Sequence, residues 1–194
     1  DRIDEMEAAI EEKAILTIAK RQPMASDLRS LMVSIRIAAD LERIGDLAKN
    51  IAKRAVTIAQ ETPPKSLLSG LAHMTEYARV QLSDVLDAYA ARDANKALQV
   101  WHDDRRIDLL YNSLFREMLT YMLEDPRNIG ICTHLLFAAK NIERIGDHAT
   151  NIAENIHFLV HGTPPVGDRP KGDEPGIPAE MAIASEKGQR ETAR

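Results

Sequence analysis

The stretch Glu42-Arg-Ile-Gly-Asp-Leu-Ala-Lys-Asn-Ile-Ala52 returns 101 residues later as Glu143-Arg-Ile-Gly-Asp-His-Ala-Thr-Asn-Ile-Ala153, with nine of eleven positions identical. Such agreement within one chain marks a tandem duplication, so the fold has to be one unit built twice. The prolines say what the unit is made of, because a proline inside a helix loses a hydrogen bond and clashes with the preceding turn at ~3 kcal/mol. Pro23 separates helices expected over about 3–20 and 26–60, Pro63 and Pro64 end the second, and Pro126 separates about 97–123 from 128–160. Another helix fills about 66–92, and Asp93 is the expected N-cap of the one after it. Only three Phe, one Trp and four Tyr sit poorly with a sandwich or barrel. The expected fold is all-α, two tandem three-helix bundles, with a second unit over 63–162 and a first over 1–62. The first unit shows only two helices, and the chain opens on Asp1-Arg-Ile-Asp4 inside a helical pattern. Equivalence of the units therefore leads us to expect a missing first helix upstream. From 163 to 194 the composition turns to Pro, Gly and charged residues, so a disordered tail is expected, with a short helix around Ala179–Lys187 as an option.

A formal charge of −5 argues against holding nucleic acid by neutralising phosphates. No apolar run approaches ~18 residues, so no membrane insertion is expected. A lone Cys132 excludes a disulfide framework and fits a reducing compartment, hence the cytoplasm.

The repeated phrase puts carboxylates on an apolar face. At ~100° per residue from Ala38, Leu31 falls near 20°, Ile35 near 60°, Leu41 near −60° and Val56 near 0°, which reads as the buried stripe. Glu42 and Asp46, near 40° and 80°, both aim inward. Glu143 and Asp147 repeat the arrangement. On the helix expected over 97–123, Asp104 shares a face with Val100, Tyr111, Phe115 and Met118, and Asp108 lies ~40° away. Asp104 and Asp108 thus form a second inward pair, on a helix that must run antiparallel to the one bearing Glu143 and Asp147. In the first unit Asp4 matches Asp108. Unpaired buried carboxylates are costly and need protons, Arg or Lys partners, or a metal. All-oxygen ligation would favour a hard or borderline ion. Asn50 and Asn151, one turn further on, and Glu154 are additional candidate ligands. Surface ion pairing through Arg43 and Arg144 is the plainer reading of the same acids. Gly45 and Gly146, each costing ~1 kcal/mol in a helix interior, suggest close helix approach beside the acids. Asp27 reads as an N-cap, His148 as a weak ligand candidate, and Trp101, Tyr111 and Phe115 as core.

At Arg21-Gln-Pro-Met-Ala-Ser-Asp-Leu-Arg29, Asp40-Leu-Glu-Arg-Ile-Gly-Asp46 and Asn141-Ile-Glu-Arg-Ile-Gly-Asp-His-Ala-Thr-Asn-Ile-Ala-Glu154 the chain resembles the PhoU family of phosphate-uptake regulators, over about residues 1–162. The resemblance implies tandem three-helix bundles, multinuclear iron or zinc clusters on Glu/Asp-x-x-x-Asp motifs, and a homodimer. It also implies repression of the phosphate-starvation response through the phosphate ABC transporter and its sensor histidine kinase. By position, the implied ligands are Glu42 and Asp46 in one bundle and Asp104, Asp108, Glu143 and Asp147 in the other. The leading expectation is a non-enzymatic, metal-bound adaptor, in the cytoplasm and peripheral to the membrane through its partners. The alternatives are a carboxylate-bridged di-metal enzyme and a metal-free scaffold. Against the enzyme, neither Glu42 nor Glu143 has the Glu-x-x-His spacing of ferritin-like sites, and no Gly-rich phosphate loop is present.

Overall fold

The computed structural model describes residues 2–167 and Arg169. They fold into six α-helices: α1 (Arg2–Arg21), α2 (Ser26–Ile58), α3 (Lys65–Ala91), α4 (Ala94–His102), α5 (Asp104–Glu124) and α6 (Ile129–His161). A single 3-10 turn, Pro126–Asn128, leads into α6, and the described residues contain no strand. The all-α expectation therefore holds. α2 and α6, the two copies of the repeated helix, have 33 residues each, about 50 Å at 1.5 Å per residue. They run antiparallel against one another. The Arg54 guanidinium lies over Phe137, the Asp40 carboxylate by His148 and the Arg36 guanidinium over Phe158. Around this pair the core falls into two clusters. One joins Val33, Ile37 and Ile44 of α2 to Val85, Trp101 and Ile152. The other gathers Leu67, Met74, Ile107, Met118, Leu135 and Ile142 from α3, α5 and α6.

Three local expectations need correction. The helix expected over 97–123 is broken at Asp103, giving α4 and α5. Its carbonyl oxygen accepts from the Tyr77 hydroxyl at 3.0 Å and from the Arg106 backbone N–H three residues on. The turn there is tightened, and its outward carbonyl is held by another helix. Asp27 is not an N-cap. α2 starts at Ser26 behind Ala25, whose φ is 47°, and Asp27 lies in the first turn, where its charge faces the positive end of the helix dipole. The third correction concerns the buried face of α2. Its most buried residues, among them Val33, Ile44, Leu47 and Ile58, centre near −140° from Ala38, whereas Val56 is 64% exposed. That face packs on α6. The stripe read from the sequence is the other side of the helix, partly covered by α1. Of α1 only Ala14 is buried, and Ile3, Met6, Ile10, Ile15 and Leu16 are exposed. Two apolar grooves of about 340 and 360 Å³ run between α1, α2 and α3 along Ile10, Ala38 and Leu41.

Other readings stand as made. The Asp93 carboxylate caps α4, accepting from the backbone N–H groups of Asn95 and Lys96 at 2.9 and 3.0 Å. Both repeat glycines are points of close approach. A Cβ on Gly45 would stand 2.9 Å from Ile3 Cδ1, and one on Gly146 would stand 2.9 Å from Ile107 Cδ1. Ile3 precedes Asp4 as Ile107 precedes Asp108, so α1 sits on α2 as α5 sits on α6. The pairing of Asp4 with Asp108 across the duplication is thereby visible in the packing. α6 ends at Gly162, whose φ of 80° turns the chain back. The first part of the tail, expected to be disordered, then returns along α6, and His157 Nδ1 lies 2.8 Å from the Thr163 carbonyl. Beyond it, residues 170–194, including the helix considered at Ala179–Lys187, lie outside the described residues.

Candidate cation site

Because Gly146 carries no side chain, Ile107 of α5 presses onto the α6 backbone, and the first residue of α5 is drawn down beside the next turn of α6. That residue is Asp104, 1% exposed. Its Oδ1 accepts from the Thr150 hydroxyl at 2.8 Å. The rest of its shell comes from the tail. Arg169 Nε donates to Asp104 Oδ2 at 2.6 Å and Nη2 to Oδ1 at 3.0 Å, a two-pronged pairing. The same Nη2 donates to Asp147 Oδ1 at 2.6 Å, and Nη1 lies 3.5 Å from Asn151 Oδ1. Burial works against the Arg169 charge, but hydrogen bonding to Asp104 and the nearby negative charges of Asp104, Asp147 and Glu154 prevail and raise its pKa. Two carboxylates from two helices thus converge on one positive centre.

One turn back along α6 stands Glu143. Lys140 Nζ lies 2.8 Å from each of its oxygens, yet Oε2 is buried without a donor in hydrogen-bonding geometry. Burial raises the Glu143 pKa; the Lys140 ammonium opposes this, and the charges of Asp147 and Asp108 add to it. Asp108 is half-buried. Glu154 accepts from Trp101 Nε1 at 2.9 Å. In the first unit Glu42 is half-buried, whereas Asp4, Asp46 and Asn50 are exposed. Among the described residues no group of three or more His, Cys, Asp or Glu side chains stands ready to hold a metal ion. The all-oxygen set of Asp104, Asp147 and Asn151, with the Lys140-paired Glu143 carboxylate one turn away, has the chemistry that hard and borderline cations select.

Sequence reasoning reached Asp104 and Asp147 but not the groups that hold them. Thr150 was signalled only by the repeat, in which Lys49 occupies the same place. Arg169 had a general signal: a buried carboxylate calls for a cationic partner, and the nearby chain beyond α6 contains one. His148, the weak ligand candidate, is engaged with α2. Its Nδ1 lies 2.9 Å from Asp40 Oδ1, both side chains are buried, and the pair joins α6 to α2.

Comparison with known proteins fits this architecture. The PhoU domain matches residues 1–55 and 71–156. A relative from Rhizobium meliloti (strain 1021), named phosphate-specific transport system accessory protein PhoU homolog, is 63% identical over 171 residues, which cover 88% of this chain and 72% of the relative. One of the same name from Caulobacter vibrioides is 50% identical over 173 residues, covering 89% and 75%. The crystal structure of PhoU from Pseudomonas aeruginosa superposes with a TM-score of 0.79 at 41% identity, covering 84% of this chain and 78% of that one. The PhoU structure from Streptococcus pneumoniae gives 0.75 at 28% identity, over 84% of this chain and 75% of that one.

Proposed function

Because the chain belongs to the PhoU family, we propose that it is a non-enzymatic accessory protein of phosphate-specific transport, whose helical units 1–62 and 63–162 carry cation sites and serve as an interaction surface. The observation that carries the reading is the convergence of Asp104 and Asp147, from α5 and α6, on one positive centre. Asp104, Asp147 and Asn151 would hold an iron or zinc ion, with Glu143, Asp108 and Glu154 within the same acidic surroundings. The bound ion would neutralise these acids and tie α5 to α6, fixing the surface that partners meet. Glu42, Asp46 and Asp4 would form the weaker counterpart in the first unit, with Asn50 beside them. The partners are the phosphate transporter and a sensor histidine kinase on the cytoplasmic side of the membrane, and the working form is a homodimer that restrains the phosphate-starvation response. Among the described residues no helix is long and apolar enough to cross a membrane, so contact with the membrane runs through those partners.

Elemental analysis of chain purified without chelator, beside a Glu143→Ala/Asp147→Ala variant, tests the metal. Stoichiometric iron or zinc in the parent and its loss in the variant are expected; equal, trace metal in both would overturn it. Retention of solubilised phosphate transporter on the immobilised chain tests the adaptor role, and failure to retain it would count against that role.

A further inference from the structure

We propose that Arg169 is a tethered occupant of the second-unit cation site, a guanidinium that an incoming metal ion has to displace, so that metal loading frees Arg169 and residues 163–167 from α6. The inference rests on the metal-binding reading above and adds to it a competitor supplied by the chain itself.

The contacts make the two occupants mutually exclusive. Both oxygens of Asp104 and one of Asp147 already accept from the guanidinium, at 2.6–3.0 Å. An ion binding those oxygens would have to lie within a few ångströms of a fixed positive charge, in a site where Asp104 is 1% exposed and screening is weak. The guanidinium also answers the question that a buried carboxylate raises when no ion is bound. Without it, the Thr150 hydroxyl is the one side-chain donor left to Asp104 among the described residues, and an unpaired buried charge is costly.

The strap that carries Arg169 is built to come away. From Asp147 to His161 the rise of α6 is ~21 Å, and the seven residues from Gly162 to Arg169 span at most ~25 Å. With the reach of the Arg169 side chain added, the segment is long enough to run back along the helix to the site. Pro164 lies over the Asn155 and Phe158 side of α6, in an open cavity of about 630 Å³. Val166 is 97% exposed, so little apolar area secures the strap. Pro164 and Pro165 narrow its conformations beforehand, which lowers the cost of docking. Polar contacts hold it at both ends: the His157 contact to the Thr163 carbonyl at its start and the Arg169 fork at its end. A charge-for-charge exchange at Asp104 and Asp147 would release it, and the metal state of the second unit would be written into the position of the segment that follows α6.

The 194-residue chain supplies its own test. Cys132 is buried, so a fluorophore can be directed to a Val166→Cys variant, where the native side chain touches almost nothing. In anaerobic titration with Fe²⁺, and separately with Zn²⁺, the label's anisotropy is expected to fall as the metal binds. Adding Arg169→Ala should give the low anisotropy from the start and bind metal at least tenfold tighter by calorimetry, and Arg169→Lys, which keeps the charge but loses the fork, should fall between. Circular dichroism reports whether each variant is folded. Equal affinity in parent and Arg169→Ala, with anisotropy indifferent to bound metal, overturns the tethered occupant and leaves the metal reading standing. Absence of metal uptake by every variant overturns the metal reading itself, and the competitor with it.

Discussion

Gly45 and Gly146 occupy the same place in the duplicated phrase, yet Gly→Ala should have opposite effects at the two. In either helix interior the exchange gains about 1 kcal/mol from backbone entropy and helix propensity. At Gly45 the new methyl meets only the tip of Ile3, Cδ1 at 2.9 Å with the next atoms at 3.8 Å. Ile3 is 45% exposed and can turn its terminal methyl into solvent. The gain survives nearly whole. At Gly146 the methyl meets Ile107 at two atoms, 2.9 and 3.1 Å away, and Gln81 Oε1 at 3.3 Å. Ile107 and Gln81 are both buried and have nowhere to go. Overpacking of that kind costs about 1–3 kcal/mol, so the net effect there is a loss of up to about 2 kcal/mol, centred near 1. The two variants should therefore lie on opposite sides of the parent by roughly 2 kcal/mol in all, near 1 M in urea midpoint for a slope of about 2 kcal/mol/M. Urea unfolding followed by circular dichroism at 222 nm measures this. Equal shifts, or a Gly146→Ala variant more stable than the parent, would refute the argument from neighbour mobility.

Three further substitutions probe single interactions. Asp93→Ala removes the cap of α4 and should cost about 1 kcal/mol, read as a lower urea midpoint; no change would mean that the two N–H groups find water equally well. Thr150→Val keeps the shape but deletes the neutral donor to Asp104 and should cost about 1.5–3 kcal/mol, with thermal unfolding as the check. Burial raises the Glu143 carboxyl above its ordinary 4.5, so the folded chain keeps a proton that the unfolded chain releases. Stability is then whole below that ordinary value and declines as pH rises through the raised one. Glu143→Gln should remove the decline, gaining on the parent at pH 7.5 relative to pH 4, and a pH-independent difference would contradict it.

The duplication, the helix limits and the inward aim of Asp104 were legible because each follows from local pattern: identity at a fixed offset, prolines as stops, and angles about one axis. The buried face of α2 was misread for a physical reason. A helix lying between α1 and α6 is apolar on two sides, and a single periodicity cannot tell the wholly covered side from the partly covered one. The break at Asp103 depends on a hydroxyl 26 residues upstream, and nothing in Trp101-His-Asp-Asp104 announces it. Arg169 sits in a stretch whose composition forecasts disorder, and its partners are 65 and 22 residues away. Contacts made across the fold by one polar atom leave no periodic trace. Asp104 itself was found because it is an acid where the pattern asks for an apolar residue.

The Asp40–His148 bond marks a difference between the two copies of the unit. Under the offset of 101, the counterpart of Asp40 is Asn141 and that of His148 is Leu47. Each half carries one member of an acid–base couple, so the halves are complementary at this point. Two copies of the first unit would set Asp40 against a leucine, and two of the second would set His148 against an amide. Only the mixed pair sets an acid against the imidazole, which ties the first unit to the second by a contact neither could make with a copy of itself.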